Sequence, residues 1–219
     1  MAPEPRTPPH ARRNQAERSA TTRAALLDAT LECLVCDGYA NTTTARVAER
    51  AGLSRGAHLH HFQTRAALLA AAADHLTRRR GEHMLASADA LPTGPERVAE
   101  GLDLLWRSYN TPLYQASLDL WTHARTDDDL RDHLIPIERR LDRQTMELSR
   151  RLFPHAARRA DFEVLVNLAL ATIRGLVVLD TLHTGSARAE KQWGACRAQL
   201  VSLFEPEGRP GMGGRGAAS

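Results

Sequence analysis

The stretch of sequence that decides the fold is Thr42–Phe62, which reads TTTARVAERAGLSRGAHLHHF. Thr43 is a good N-cap for a helix over about 44–51, where apolar residues recur at helical spacing. Gly52 permits a sharp turn after that helix, and a second short helix is predicted over roughly 55–61. Helix, glycine-containing turn and helix in this order are the pattern of a helix-turn-helix.

The second helix of such a motif enters the major groove of DNA with its N-terminal residues at the base edges. Arg55 at its start can pair bidentately with guanine, and Gly56 lets the backbone approach closely. Histidines on this helix can donate to bases or phosphates, and hydroxyl and N–H groups at helix starts bind phosphate oxygens. The candidate DNA contacts are Thr43, Thr44, Arg46, Arg55, Gly56, His58, His60, His61 and Thr64.

The stretch from about Thr22 to Leu76 resembles the DNA-binding domain of TetR-family regulators. The matching features are Gly38-Tyr39, Thr43-Thr44, Val47-Ala48, Ala51-Gly52-Leu53-Ser54, Gly56, His61-Phe62, Thr64-Arg65 and Leu68-Leu69. Leu59 stands where the family usually has a tyrosine that touches a phosphate, so His58 or His60 is the candidate replacement. Arg65 stands where the family usually has lysine, and it keeps the charge and the capacity to bind phosphate. The resemblance implies a regulator that binds double-stranded DNA at a palindromic operator and responds to a small-molecule effector. We expect a repressor that the effector releases, with activation by recruitment as the alternative.

The rest of the chain has a helical pattern between two irregular ends. Prolines and arginines over residues 1–18 predict a disordered basic arm, and glycines and prolines over 205–219 predict a disordered tail. The predicted fold is all-α, with a three-helix helix-turn-helix domain over 19–80 and a helical ligand-binding and dimerisation domain over 81–204. The other predicted helices span about 20–37, 65 to the break at 91–95, 95–109, 112–125, 128–152 (with Pro136 expected to kink or split it), 159–184 and 188–204.

Composition and charge agree with a globular DNA-binding chain. Of the 219 residues, 42% are hydrophobic and 25% charged, as in ordinary globular proteins. Residues 1–80 carry 12 arginines against 7 acidic residues, so the basic excess lies where DNA contact is expected. No apolar stretch is long enough for a signal or a membrane span, and three cysteines suit a reducing compartment. We expect a cytoplasmic protein without membrane contact.

The segment Phe162–Leu182 is apolar on more than one face, so it needs cover from two sides. Its own domain supplies one cover, and a partner chain is the natural source of the other. The helices at about 159–184 and 188–204 are therefore expected to form half of an intermolecular four-helix bundle and to make a homodimer. A large monomeric core is the alternative.

The resemblance also implies a pocket for the effector among the helices of residues 81–184. Such pockets have apolar walls with a few polar anchors. The candidate wall residues are aromatic and the candidate anchors polar: Trp106, Tyr109, Tyr114 and Trp121, with His123, Asn167 and Arg174. No cofactor and no metal are expected, because the CxxC spacing of Cys33 and Cys36 lacks a second ligand pair and indicates buried thiols.

Two other functions compete with DNA binding. Asp128–Asp132 fits the DDxxD pattern with which prenyl-diphosphate enzymes hold magnesium, so an all-helical magnesium-dependent enzyme is one alternative. Acidic residues at a helix start are also favoured by the helix dipole, and no second magnesium motif follows. We therefore expect no enzyme activity. A helical adaptor that only dimerises is the other alternative.

Overall fold

A computed structural model of the chain describes residues 9–54, 56, 60–180 and 188–205. The elements are α1 (Pro9–Asn41), α2 (Thr44–Arg50), α3 (Arg65–Asp89), α4 (Arg97–Tyr109), α5 (Pro112–Ala124), α6 (Asp128–Leu152), a 3-10 helix (Ala156–Arg158), α7 (Phe162–Asp180) and α8 (Arg188–Phe204). The all-α prediction is confirmed, since the described part of the chain contains helices and no strand. From α3 onward, the predicted helix ends agree with the observed ends to within about one turn.

Helix α1 is longer than the sequence predicted. It begins at Pro9, so the prediction of a disordered arm is wrong for residues 9–18, while residues 1–8 lie outside the described part. Proline is favoured at the first helical position, and the alanine, arginine and glutamine that follow are good helix formers. Extending an existing helix through such residues costs little compared with nucleating a new one. Gly38, with φ +73°, interrupts the helical geometry at the predicted end.

The chain divides into two compact units, of which the first comprises residues 1–80 and 111–141. One buried cluster joins α1, α2 and α3 through residues such as Leu27, Val47 and Leu68. A second cluster joins the end of α1 and α3 to α5 and α6. The first unit therefore extends beyond residue 80, where the sequence-based division lies, because α5 and the first half of α6 pack on α1 and α3.

The second unit comprises residues 81–110 and 142–219, and its core lies among α4, α7 and α8. The rings of Phe153 and Phe204 pack with their centroids 4.6 Å apart. Gly101 on α4 leaves room for this pair, because a Cβ atom there would lie 2.7 Å from Cε1 of Phe153. Arg97 donates to the carbonyl oxygens of Leu152 and of the preceding residue, at 3.1 and 2.8 Å. It thereby satisfies carbonyls that the end of α6 leaves without helical partners.

Helix α6 runs through Pro136 as one element, so the predicted split does not occur. Proline removes the N–H that would bond the carbonyl of Asp132 and normally disrupts a helix interior. Pro136 and Asp132 are exposed, so water can satisfy that carbonyl. Leu134 and Ile137 are buried on either side of the proline and hold both parts of the helix on the core.

Helix α7 has two apolar faces. Eight of its residues are buried within the second unit, among them Leu165, Ile173 and Val177. Its opposite face exposes Val164 and Leu168, with 67% and 45% of their surface accessible. By length and composition, α7 alone among the described helices could cross a bilayer, but a core helix gives the same signal.

Candidate nucleic-acid interface and ligand cleft

The first helix of the motif forms as the sequence predicts. Thr43 has an extended backbone, and its side-chain oxygen accepts a hydrogen bond from the N–H of Arg46 at 3.2 Å, which caps α2. Val47 and Ala48 are buried and fix the inner face of this two-turn helix. Gly52 has φ +67°, a left-handed conformation that glycine adopts without strain, and it turns the chain after α2.

The second helix of the motif is described only in part. Gly56, His60 and His61 are helical, and Gly56 and His60 are exposed. Arg55 and residues 57–59 lie outside the described part, so the roles of Arg55, His58 and Leu59 stay predictions. Thr64 is exposed beyond this helix, and its hydroxyl accepts a hydrogen bond from the N–H of Ala67 at 3.0 Å, which caps α3.

Charged side chains surround α2. Asp37 at the end of α1 binds Arg46 through both carboxylate oxygens, at 2.9 and 3.1 Å, and also binds Arg50 at 3.1 Å. The Arg46 side chain nevertheless keeps 51% of its surface exposed. Thr44 is half-buried at the first turn of the helix. An oriented and solvent-exposed guanidinium of this kind can bind an anionic phosphate.

A second basic group lies next to the partly described helix. Arg23 on α1 stands over the ring of Phe62, with its ζ carbon 5.3 Å from the centroid. Burial lowers the pKa of His61 below its ordinary value of 6.5, and the neighbouring His60 and Arg23 lower it further. Sequence reasoning missed Arg23, because it lies well before the motif and no local pattern marks it.

Arg65 has a different environment from that of Arg46. Its Nε donates to the carbonyl oxygen of Thr42 at 2.8 Å, and a terminal nitrogen donates to that of Tyr39. Its ζ carbon lies 4.2 Å from the centroid of the Tyr39 ring. The same ring stacks on His123 at 3.9 Å. Arg65 therefore makes several contacts within the protein.

The second unit carries a cleft built on two indole rings. Trp106 on α4 and Trp193 on α8 stack with centroids 5.1 Å apart and planes at 9°. Each indole N–H donates to a carboxylate at 3.0 Å, Trp106 to Glu190 and Trp193 to Asp103. The cleft has a volume of about 470 Å³, and its lining is completed by Arg107 and Asn110.

The predicted effector contacts are divided between the two units. Trp106 lines the cleft, Tyr109 is buried near the Arg174 guanidinium, and Asn167 lies on the exposed face of α7. The other three predicted contacts, Tyr114, Trp121 and His123, belong to the first unit. The Arg80 guanidinium lies over the ring of Tyr114, and the indole N–H of Trp121 donates to Glu138 at 2.8 Å. His123 stacks on Tyr39. Sequence reasoning did not assign Glu190 to the cleft, because it lies 84 positions from Trp106 and only the packing of α4 on α8 joins them.

The acidic cluster at the start of α6 has local partners. Asp127 accepts a hydrogen bond from the N–H of Leu130 at 3.0 Å and caps the helix. Asp128 pairs with Arg131 at 2.9 Å, and Asp129 lies 3.4 Å from His133. Within the described ranges, no group of three or more histidine, cysteine or acidic residues is arranged to hold a metal ion. These contacts explain the cluster as a helix start and give the magnesium-enzyme alternative no support.

The two cysteines of the CxxC spacing differ in burial. Cys33 is buried, and desolvation raises the pKa of its thiol, which favours the neutral form. Cys36 is exposed, so the prediction of two buried thiols is wrong for Cys36. The reason is that residues three apart on α1 straddle the edge of its buried face.

Comparison with known proteins identifies both parts of the chain. Residues 26–72 match the family described as bacterial regulatory proteins, tetR family, and residues 94–205 match the family described as BetI-type transcriptional repressor, C-terminal. The HTH-type transcriptional regulator CymR of Pseudomonas putida is 31% identical over 184 residues, which are 82% of this chain and 89% of that protein.

Solved structures have the same fold. A TetR transcription regulator from Haloarcula marismortui superposes with a TM-score of 0.66 at 21% identity, over 84% of this chain and 98% of its own. A transcriptional regulator from Saccharomonospora viridis, solved in complex with choline, has a TM-score of 0.62 at 18% identity, over 86% of this chain and 97% of its own.

Proposed function

Because the chain belongs to the TetR family of transcriptional regulators, we propose that it represses transcription as a homodimer on a palindromic operator and is released by a small-molecule effector. The geometry of the helix-turn-helix is the observation that carries this proposal. Thr43 caps α2, Gly52 turns the chain, and the exposed helical residues Gly56 and His60 follow. The family description of residues 94–205 as a repressor domain supports the sign of regulation.

In the proposed interface, Arg55 contacts the bases and the residues around it contact the sugar-phosphate backbone of the DNA. Arg55 pairs with a guanine, and Gly56 allows close approach to the groove. We assign the contacts with the DNA backbone to Thr43, Thr44, Arg46, His58, His60, His61 and Thr64. We add Arg23 to them, because its guanidinium lies over the ring of Phe62, next to His61. Such contacts release counterions, so affinity for the operator falls steeply with salt.

Substitution of Arg55 tests the base contact. Arg55→Ala is expected to weaken operator binding by about 1–3 kcal/mol and to relax the preference at one base pair of each half-site. Binding of operators varied at each position measures both effects. Arg131→Ala is the control, since Arg131 pairs with Asp128 on α6 and is not part of the proposed interface. An Arg55→Ala protein with wild-type affinity and preference would remove Arg55 from the interface.

The cleft on α4 and α8 is the proposed effector site. It combines an aromatic floor with an exposed carboxylate at Glu190 and an amide at Asn110, as sites for small polar ligands do. Two recognition helices must lie about 34–36 Å apart to enter successive major grooves. An effector that binds more tightly to a dimer with a different distance between its recognition helices lowers the affinity for DNA. The loss equals the difference between its binding free energies for the two conformations, typically about 1–3 kcal/mol.

Tryptophan fluorescence tests the cleft directly. The chain has three tryptophans, so Trp121→Phe leaves Trp106 and Trp193 as the only tryptophans, both in the cleft, and selective excitation of tryptophan reports on them. Choline, which the Saccharomonospora viridis regulator binds, is the first probe of a panel of small polar compounds. An effector that releases operator DNA should change this emission saturably, and Glu190→Gln should weaken the response. A compound that releases DNA without changing the emission would place the effector site elsewhere.

The exposed face of α7 is the proposed dimer interface, together with α8. Val164, Leu168, Ala171, Gly175 and Val178 recur at helical spacing along this face, and all are exposed. The two small residues at its centre would let a partner helix approach closely. Leu203 on the adjoining α8 is also exposed, at 42%. An exposed apolar face of this extent is typical of an interaction site.

A further inference from the structure

Tyr39 joins three parts of the first unit through its ring and its hydroxyl. The Arg65 guanidinium lies over the ring, with its ζ carbon 4.2 Å from the centroid. The His123 imidazole stacks on the same ring at 3.9 Å, with the two planes at 22°. The hydroxyl donates to Asp127 at 3.2 Å. Residues from the end of α1, the start of α3 and the α5–α6 junction therefore meet at one side chain.

The hydrogen bonds of Arg65 act on the turn that leads into α2. Its Nε donates to the carbonyl of Thr42 at 2.8 Å, and a terminal nitrogen donates to the carbonyl of Tyr39. Thr42 is buried, and its hydroxyl donates to the carbonyl of Gly38 at 2.8 Å. The next residue, Thr43, is the N-cap of α2. The guanidinium thus fixes the backbone from which α2 begins.

Asp127 connects this turn to α6. One of its oxygens accepts from Tyr39, and the other accepts from the N–H of Leu130 at the first turn of α6. These hydrogen bonds and the charge of Arg65 lower the pKa of Asp127, so the carboxylate stays ionised near neutral pH. The start of α2 and the start of α6 are therefore held by one continuous set of contacts.

We propose that Arg65 is a positioning residue, which orients the helix-turn-helix through Tyr39 and Thr42, and that it makes no contact with an operator phosphate. This inference rests on the proposed DNA-binding function. Lysine carries its donors on a single nitrogen and has no planar guanidinium. It therefore does not reproduce the hydrogen bonds to the carbonyls of Thr42 and Tyr39 together with the contact on the Tyr39 ring. A phosphate contact, in contrast, is satisfied by either residue.

Two substitutions of Arg65 separate positioning from phosphate contact. Arg65→Lys should lose operator affinity about tenfold, because the paired hydrogen bonds to the two carbonyls are lost while the charge stays. Arg65→Gln should lose at least as much, but the slope of log affinity against log salt should stay at the wild-type value. Arg131→Lys is the matched control, since Arg131 is an exposed arginine of the same unit that pairs with one carboxylate.

The opposite outcome would overturn the inference. A phosphate contact predicts that Arg65→Lys binds as the wild type does and that Arg65→Gln lowers the salt slope by about one. Wild-type affinity of Arg65→Lys would remove the positioning role, and a lower salt slope of Arg65→Gln would place Arg65 on the DNA. If the wild-type protein binds no operator, the proposed DNA-binding function fails. That outcome is distinguishable from failure of the Arg65 inference, because it is observed in the wild-type protein before any variant is tested.

Tyr39→Phe keeps the test decisive if the Arg65 variants do not fold. It keeps the ring beneath the guanidinium and removes only the hydrogen bond to Asp127. A positioning role of Arg65 predicts that Tyr39→Phe binds the operator more weakly with an unchanged salt slope. Wild-type affinity of this variant would contradict a role for this set of contacts.

Discussion

At the scale of single residues, the structure assigns different environments to groups that look alike in the sequence. Arg46 lies in the first helix of the motif and Arg65 at the start of the helix that follows it, and the sequence offers both as candidate DNA contacts. Arg46 is exposed and paired with Asp37, whereas Arg65 lies against Tyr39 and two carbonyls. The sequence identifies both cations, but the difference between their environments depends on the path of the chain between them.

His61 predicts a pH dependence of operator binding. Burial keeps its pKa below 6.5 in the free protein, so the imidazole is largely neutral at pH 7. A nearby phosphate would stabilise the protonated form, so binding takes up a proton and affinity rises as pH falls from about 7.5 to about 6. Fluorescence anisotropy of labelled operator measures this slope, and His61→Gln should lose part of it.

Free-protein stability should show the opposite trend. Because the unfolded chain has the higher histidine pKa, the stabilisation from neutral His61 is present above pH 6.5 and declines as pH falls below that value. His61→Gln should remove that part of the decline. For the binding prediction, identical pH profiles of operator affinity for the wild type and His61→Gln would show that His61 does not contact a DNA phosphate.

Gly101 predicts a steric effect within the second unit. Gly101→Ala places a Cβ 2.7 Å from the buried Phe153 ring, so it should destabilise the protein by about 1–3 kcal/mol through overpacking. Urea unfolding measures the change. Gly194→Ala on α8 is the control, because nothing lies within 4 Å of its Cβ position, and it should be neutral or stabilising by up to about 1 kcal/mol. Equal effects of the two substitutions would show that Phe153 moves aside freely.

At the scale of helices, the sequence predicts elements well where caps and apolar spacing agree. Thr43 and Gly52 bracket α2 as expected, because both signals are local. The start of α1 at Pro9 differs from the prediction, because proline is tolerated at the first helical position and the helix formers after it extend the helix. The pairing of Trp106 with Glu190 has no local signal, since it arises from the packing of α4 on α8.

Pro136 provides a test of the account of α6. Pro136→Ala restores the N–H donor to the carbonyl of Asp132 in an exposed part of the helix, so it should stabilise the protein by about 1–3 kcal/mol. Thermal unfolding measures the gain. Gln144→Ala, at another exposed position of α6, should change stability by less than about 0.5 kcal/mol. A loss of stability in Pro136→Ala would show that α6 requires the proline for its shape.

At the scale of the whole molecule, the proposed repressor depends on two copies of the chain. Leu168→Glu puts a charge into the exposed apolar face of α7, so it should convert the dimer to a monomer and abolish tight operator binding. Sedimentation velocity and operator titration measure both effects. Ile135→Glu on α6 is the matched control, because Ile135 is similarly exposed, at 41%, and belongs to the first unit, whereas α7 belongs to the second. A Leu168→Glu protein that remains dimeric would move the interface to another surface.

Selection of bound sequences from random duplex DNA by this 219-residue chain tests operator binding most directly. A dimeric operator-binding protein should enrich an inverted repeat whose half-sites lie about 10–10.5 base pairs apart, or a multiple of that spacing. Its affinity for the selected sequence should fall steeply with salt. If no sequence is enriched, because the protein binds every duplex equally or binds no duplex, the proposed sequence-specific binding to an operator is contradicted.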